Sequence, residues 1–188
     1  MTTKSKRDLL IAAARTKFYH QGVARTTLAD IAQEAQIPLG NVYYHFRTKE
    51  ALLEAVIEAH VERLQTRFAQ CDREVADPRE RLLTLIRWER EGESSMARYG
   101  CPHGSLAQEI DKEEDTKLVD QAAGMLQSYL EWTEKQFRQL GKDEQEAKDL
   151  SIDMICWFQG TFLLAASFRS PELMDRKLQR MEEWIRSL

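Results

Sequence analysis

Few residues in the chain are placed to do covalent or metal chemistry. The densest grouping is Gly100-Cys101-Pro102-His103-Gly104, a break that leads into a helix. A helix N-terminus and a neighbouring imidazole both lower a thiol pKa and favour thiolate chemistry. Cys101 with His103 therefore reads either as a reactive sensor or as an inert cysteine in a tight turn. Adding Glu109 gives three possible metal donors, but Cys-x-His followed by a distant carboxylate is not the spacing of a tetrahedral site. No metal and no cofactor are expected. A catalytic reading needs a nucleophile, a separately positioned base and a means of stabilising charge. Cys101 and His103 are too local for that, and the sequence has no Gly-rich phosphate loop, paired-carboxylate motif or HExxH, so an enzyme is not expected. Cys71, Cys101 and Cys156 are odd in number, widely spaced and without CxxC, which argues against a disulfide framework. Cys71 and Cys156 lie on apolar faces and read as core.

Charge is the second chemical feature. The 188 residues carry 27 basic and 31 acidic side chains, a net −4, but residues 1–50 hold +4 and the remainder −8. Such asymmetry points to a polyanion-facing or membrane-facing segment attached to an acidic body. With 43% hydrophobic and 31% charged residues the composition is that of a folded chain. No apolar run approaches the roughly 18 residues of a membrane span, and Met1–Arg7 opens a polar, basic helix unlike a signal peptide. The expected location is cytoplasmic, with no membrane partner.

The elements that must position these residues read as all-α. Gly and Pro are few, and the segments between them have helical apolar periodicity. The first helix is predicted over about Lys6–Gln21, with Leu10, Ala14 and Phe18 inward and Gly22 ending it. The second starts at Thr27, whose hydroxyl, with Asp30, resembles a capping box, and buries Leu28, Ile31, Ala32 and Ala35. Pro38 stops it. A short helix over Leu39–Phe46 buries Val42 and Phe46, and a long one follows from Thr48 to about Cys71. Two helices of about two turns joined by Gln36-Ile37-Pro38 have the dimensions of a helix-turn-helix.

Thr26-Thr27-Leu28-Ala29-Asp30-Ile31-Ala32, followed by Gly40-Asn41-Val42-Tyr43-Tyr44-His45-Phe46-Arg47-Thr48-Lys49-Glu50-Ala51-Leu52-Leu53, resembles the DNA-binding head of the TetR family over residues 8–55. The resemblance implies a three-helix head over residues 1–50 and a larger helical ligand-binding and dimerisation domain over 51–188. It also makes 39–46 the recognition helix. Leu39, Gly40 and Asn41 would then face base edges, Asn41 suiting adenine and Leu39 a thymine methyl. Tyr43, Tyr44 and His45 would touch phosphates or bases, while Lys49 at a helix N-terminus and the cap residue Thr27 would reach the backbone. Two departures stand out: Gln36 sits where the family often has Gly, at a cost of roughly 1–2 kcal/mol if it must be left-handed, and Pro38-Leu39 replaces a more polar pair.

Past residue 55 the resemblance is one of length and helical layout. Helices are predicted from Asp77-Pro78 toward Ala97, then over Ser105–Ile110, Thr116–Leu140, Asp143–Phe168 and Glu172–Ser187. The 143–168 segment is apolar on more than one face, so a two-fold four-helix interface made with the last helix is expected. Trp88, Tyr129, Trp132, Trp157 and Phe158 are candidate lining for an effector pocket, with Cys101 and His103. Some TetR-family regulators responsive to electrophiles carry a similar Gly-Cys pair. The expected function is a homodimeric repressor that binds a palindromic duplex DNA operator and is released by a small-molecule ligand or electrophile. The alternative is a helical adaptor or a thiol-dependent small-molecule enzyme with a vestigial head.

Overall fold

A computed structural model describes residues 5–110 and 116–188, and every regular element among them is a helix. In chain order these are α1 (Lys6–Gln21), α2 (Leu28–Ala35), α3 (Leu39–His45), α4 (Lys49–Glu74), α5 (Pro78–Glu91), α6 (Glu93–Tyr99), α7 (Pro102–Ile110), α8 (Thr116–Gln139), α9 (Glu144–Phe168) and α10 (Pro171–Ser187). They gather into two compact units, residues 1–63 with 105–125 and residues 64–104 with 126–188. The first unit thus extends past residue 50 and takes in one later segment, 105–125.

In the first unit α1 is opened by Ser5, whose hydroxyl accepts from Asp8 N–H while the Asp8 carboxylate accepts from Ser5 N–H, and it buries Leu10, Ala14 and Phe18. Gly22, at φ +85°, ends it by donating to Phe18 O at 2.9 Å. The expected cap on α2 is present and reciprocal: Asp30 N–H donates to Thr27 Oγ1 at 3.2 Å and Thr27 N–H to Asp30 Oδ2 at 2.8 Å. Bonds from the Thr27 hydroxyl and amide hold the Asp30 carboxyl below its ordinary pKa. Ile31, Val42, Phe46, Leu52 and Val56 meet Leu10 and Phe18 in one core that Leu106, Ile110, Leu118 and Met125 complete. Each large side chain so buried contributes about 1.5–3 kcal/mol. His60 lies buried in this unit, and burial, aided by Arg15 and Arg63, pushes it down to about 4. It therefore folds neutral, and its contribution, present above the ordinary value of 6.5, is lost as pH falls through about 4.

The second unit packs α10 against α5, α6 and α9. Met174, Leu178, Met181 and Ile185 of α10 meet Leu82, Leu85, Ile86, Phe158 and Phe162. Two buried hydroxyls are satisfied together: the Ser151 hydroxyl donates to Leu130 O at 2.8 Å and lies 2.9 Å from Thr133 Oγ1. Three expectations change here. The helix from Pro78 does not reach Ala97 unbroken; it ends at Glu91, and Gly92 starts α6, with the Met96 side chain filling the space beside it. The next helix starts at Pro102 rather than Ser105, because Pro is preorganised for a first helical position. Cys156 is exposed rather than core.

α9 also revises the reading of membrane potential. By length and composition it is apolar enough to cross a bilayer, since one acidic residue, Asp153, interrupts its C-terminal 18 residues. Core helices of soluble proteins pass the same test, and this one buries Met154, Ile155, Phe158, Phe162 and Ala165 inside its unit. Its other face leaves Ile152, Leu163, Leu164 and Phe168 exposed.

Both α2 and α9 close through a non-glycine residue in the left-handed region. After α2, Ile37 N–H donates to Ala32 O at 3.0 Å and Gln36 N–H to Gln33 O at 3.1 Å, with Gln36 at φ 55°. After α9, Ser170 N–H donates to Ala165 O at 2.9 Å around Arg169 at φ 51°. Gln36 is exposed, so nothing but backbone strain is at stake there. Gln36→Gly is expected to stabilise the protein by roughly 1 kcal/mol, the relief of strain outweighing the added freedom of the unfolded chain. Paired urea denaturation curves at constant m value check it.

Candidate nucleic-acid interface and thiol cluster

The face of α3 follows from what the head core needs. Val42 is fully buried and Phe46 is 4% exposed, and with 3.6 residues per turn the positions between them must face out. Leu39 is 40% exposed, Tyr43 53% and Tyr44 83%. Gly40 is exposed and a Cβ there would meet nothing, so its bareness serves no internal packing. Asn41 and His45 are half-buried, and the His45 ring stands edge-on to Tyr44 at 5.1 Å. Thr27, exposed at the start of α2, belongs to the same helix-turn-helix. Lys49 is spoken for in part, because its Nζ donates to Val23 O at 3.1 Å.

Sequence reading overlooked some of this arrangement. Thr48 caps α4 by accepting from Ala51 N–H at 3.1 Å, a signal that was present in Thr-Lys-Glu. The Arg7 guanidinium lies 5.3 Å from the Phe46 ring centre. Glu109, 86 residues along the chain, accepts from Val23 N–H at 2.6 Å. No local pattern announces a partner at that separation.

In the second unit the structure brings Cys101, His103, Trp88, Tyr129 and Trp132 into one neighbourhood and adds Glu89 and Gln159. Cys101 Sγ, 7% exposed, accepts from Gly104 N–H at 3.4 Å and from Gln159 Nε2 at 3.5 Å. A Cβ on Gly104 would stand 2.4 Å from Gln159 Oε1, so glycine is what lets Gln159 approach the thiol. The expected depression of the thiol pKa is reversed. Burial, then the Glu89 charge, push Cys101 up, and they outweigh the opposing hydrogen bonds from Gly104, Gln159 and the His103 backbone. The imidazole serves Tyr129 instead: His103 Nδ1 lies 3.4 Å from the Tyr129 hydroxyl, with ring centres 5.6 Å apart.

Glu89 titrates near neutrality. Burial raises its carboxyl to about 7, against the pull of Arg67 and a 3.4 Å bond from the Tyr129 hydroxyl. Around it Phe68 stacks on Trp132 at 4.6 Å and meets Tyr129 edge-on at 5.5 Å, while the Arg67 guanidinium covers Trp88 at 4.2 Å. Trp132 Nε1 is fixed by Asp72 at 3.1 Å. The remaining expected pocket residues pair elsewhere: Trp157 lies 5.9 Å from Trp184, and Phe158 stacks on Phe162 at 5.7 Å. Among the described residues no group of His, Cys, Asp and Glu is arranged to hold a metal.

Residues 10–56 match the family described as bacterial regulatory proteins, tetR family, and residues 78–179 match the C-terminal domain described as transcriptional regulator LmrA/YxaF-like. The HTH-type transcriptional regulator LmrA of Bacillus subtilis is 28% identical over 176 residues, covering 90% of this chain and 91% of its own. The HTH-type transcriptional repressor KstR2 of Mycolicibacterium smegmatis is 37% identical over 82 residues, 44% of this chain but only 40% of that protein's length. The regulator TtgR of Pseudomonas putida is matched over 25% of its length, at 47% identity, covering 28% of this chain. A TetR transcriptional regulator from Legionella pneumophila has the same fold, with a TM-score of 0.85 at 18% identity over 97% of this chain and 98% of its own.

Two outcomes follow from the thiol cluster. Glu89 raised above its ordinary 4.5 makes the fold favour the neutral acid, so its stabilising effect is present below that value and lost as pH rises through about 7. Glu89→Gln is accordingly expected to raise the melting temperature relative to the parent at pH 8 and to change it little at pH 5, read by thermal denaturation at both. Cys101 in the native protein is expected to react with iodoacetamide at least about tenfold more slowly than a free thiol. Mass-spectrometric mapping of timed labelling reads that rate, and unfolding should restore it.

Proposed function

The chain belongs to the TetR family of bacterial regulatory proteins, and from that premise we propose that it is a homodimeric transcriptional repressor. It binds a palindromic operator in duplex DNA and leaves it when a small-molecule effector binds. The observation that carries this reading is the outward face of α3, where Leu39, Tyr43 and Tyr44 stand exposed on a head of net charge +4. Aromatic and amide groups on a basic surface suit phosphate positioning with base-edge contact in a major groove. Asn41 and Leu39 read bases, Gly40 allows close approach, and Tyr43, Tyr44, His45, Lys49 and Thr27 hold the DNA backbone. Residues 1–50 are the DNA-binding domain and residues 51–188 the effector and dimerisation domain. The setting of such a regulator is the cytoplasm.

Dimerisation rests on the exposed stripe of α9. Ile152, Cys156, Gly160, Leu164 and Phe168 follow one another four residues apart, with Leu163 beside them and Gly160 open to close approach. A second copy covers this stripe, giving a two-fold interface that holds two heads on successive half-sites. α10 joins it at the edge, since its own apolar residues are spent on the unit's core. The effector contacts the neighbourhood of Trp88, Tyr129, Trp132, His103 and Cys101, with Trp157 and Phe158 as supporting wall, and acts by preferring the conformation that does not fit DNA. Burial and the raised thiol pKa favour a reversibly bound ligand over covalent capture of an electrophile at Cys101. The same facts weaken the alternative of a thiol-dependent enzyme, and membership in a regulator family weakens that of an adaptor.

Selection from a random duplex pool, followed by binding isotherms over a salt series, tests the reading. A short palindrome should be enriched, with affinity falling steeply and linearly in log salt. Asn41→Ala should weaken binding to that duplex by roughly 5- to 150-fold and relax the sequence preference, with stability unchanged. Leu163→Glu should convert dimer to monomer in sedimentation and lower operator affinity with it. Salt-insensitive binding, or no enrichment, would remove the proposal.

A further inference from the structure

Val23, in the turn between α1 and α2, is 5% exposed, and both of its main-chain polar groups are held by side chains from other helices of its unit. Its N–H donates to Glu109 Oε2 of α7 at 2.6 Å. Its carbonyl accepts from Lys49 Nζ, at the first residue of α4, at 3.1 Å, and from Thr26 N–H at 3.2 Å. The turn around it is made to receive these bonds. Gly22 has φ +85°, and a Cβ there would stand 3.1 Å from Glu109 Oε2, so a side chain would crowd the carboxylate. The Thr26 hydroxyl donates to Gly22 O at 2.7 Å and accepts from Gln21 Nε2 at 3.2 Å, which ties the turn to the end of α1. One residue later Thr27 starts α2.

We propose that Glu109 and Lys49 form a clamp on Val23 that sets the position of α2 and α3 for operator binding, with Glu109 the positioning residue. The inference rests on the DNA-binding reading above and adds to it a control point. Most contacts inside the head are apolar, and apolar contacts tolerate sliding because they have no preferred direction. The two clamp bonds are charge-assisted and directional. Lengthening a 2.6 Å bond by about 1 Å carries it past hydrogen-bonding range, so a small axial shift of α7 releases the turn. Release leaves the Val23 amide, buried as it is, without the acceptor it has here. The turn must then move to recover one, taking Thr27 and the capped start of α2 with it.

The test uses the full-length protein, a duplex enriched by the wild type from a random pool, and the Glu109→Ala, Glu109→Gln and Glu109→Asp variants. Glu109→Ala is expected to keep its helical circular dichroism, to exchange the Val23 amide proton at least tenfold faster, and to bind the duplex about tenfold more weakly. Glu109→Gln keeps an oxygen acceptor at the same reach and should recover most of both losses. Glu109→Asp keeps the charge but withdraws it by one methylene, and should behave like Ala, which decides the matter if Ala disturbs folding. Unchanged Val23 exchange in Ala and Asp would overturn the clamp. Accelerated exchange with wild-type duplex affinity would overturn its positioning role. A wild type that enriches no duplex would overturn the DNA-binding reading and the proposal with it, and the Val23 exchange result distinguishes that case from failure of the clamp alone.

Discussion

A helix of seven residues has too few internal hydrogen bonds to persist alone, so α3 exists because Val42 and Phe46 are drawn into a core already furnished by α1, α2 and α4. That single burial sets the rest of the head. With Val42 inward, the helical period turns Gly40, Tyr43 and Tyr44 outward, Leu39 stands exposed at the first residue of the helix, and Asn41 and His45 come to the shoulders. The recognition surface is the complement of the core surface. On the proposed DNA-binding reading, residues on the two faces carry separable roles, stability at Val42 and Phe46 and contact with DNA at the others.

The thiol cluster shows two opposed electrostatic effects settled by burial. The backbone amides at the start of α7 do point at Cys101 Sγ, as a helix N-terminus requires, and they pull its pKa down. Desolvation is larger, and the neighbouring Glu89 carboxylate adds to it. Glu89 is itself raised by burial to about 7, so a carboxylic acid titrates near neutrality here while the cysteine does not. A ligand that brings a hydrogen-bond donor or a positive charge to Glu89 would favour its ionised form, which gives a non-covalent effector a handle that the thiol does not offer.

α9 carries two apolar faces for two purposes. One face, with Met154, Phe158, Phe162 and Ala165, makes the core of its own unit. The other, with Ile152, Leu163, Leu164 and Phe168, is left to solvent in a single chain, and removing it from water would be the driving force for the proposed pairing with a second copy. The same doubled apolarity gives the helix the length and composition of a membrane span, so composition alone does not tell these uses apart.

By itself the sequence determined the all-helical fold, the starts of the helices that open at Thr27, Asp77 and Asp143, and the helix-turn-helix of the head. Ser and Thr caps, Gly and Pro stops and a 3.6-residue apolar period are local signals, legible within a turn or two of chain. Thr27 with Asp30, Asp77 with Pro78 and Asp143 with Glu146 all act where their types predict. Tertiary structure alone decided that Cys156 faces outward while Cys101 is buried, that His103 serves Tyr129, that Glu89 titrates near neutrality, and that Glu109 reaches Val23. Each of those depends on which distant helices surround a side chain and how much water they exclude. Desolvation and through-space hydrogen bonds are properties of a neighbourhood that the chain assembles only on folding.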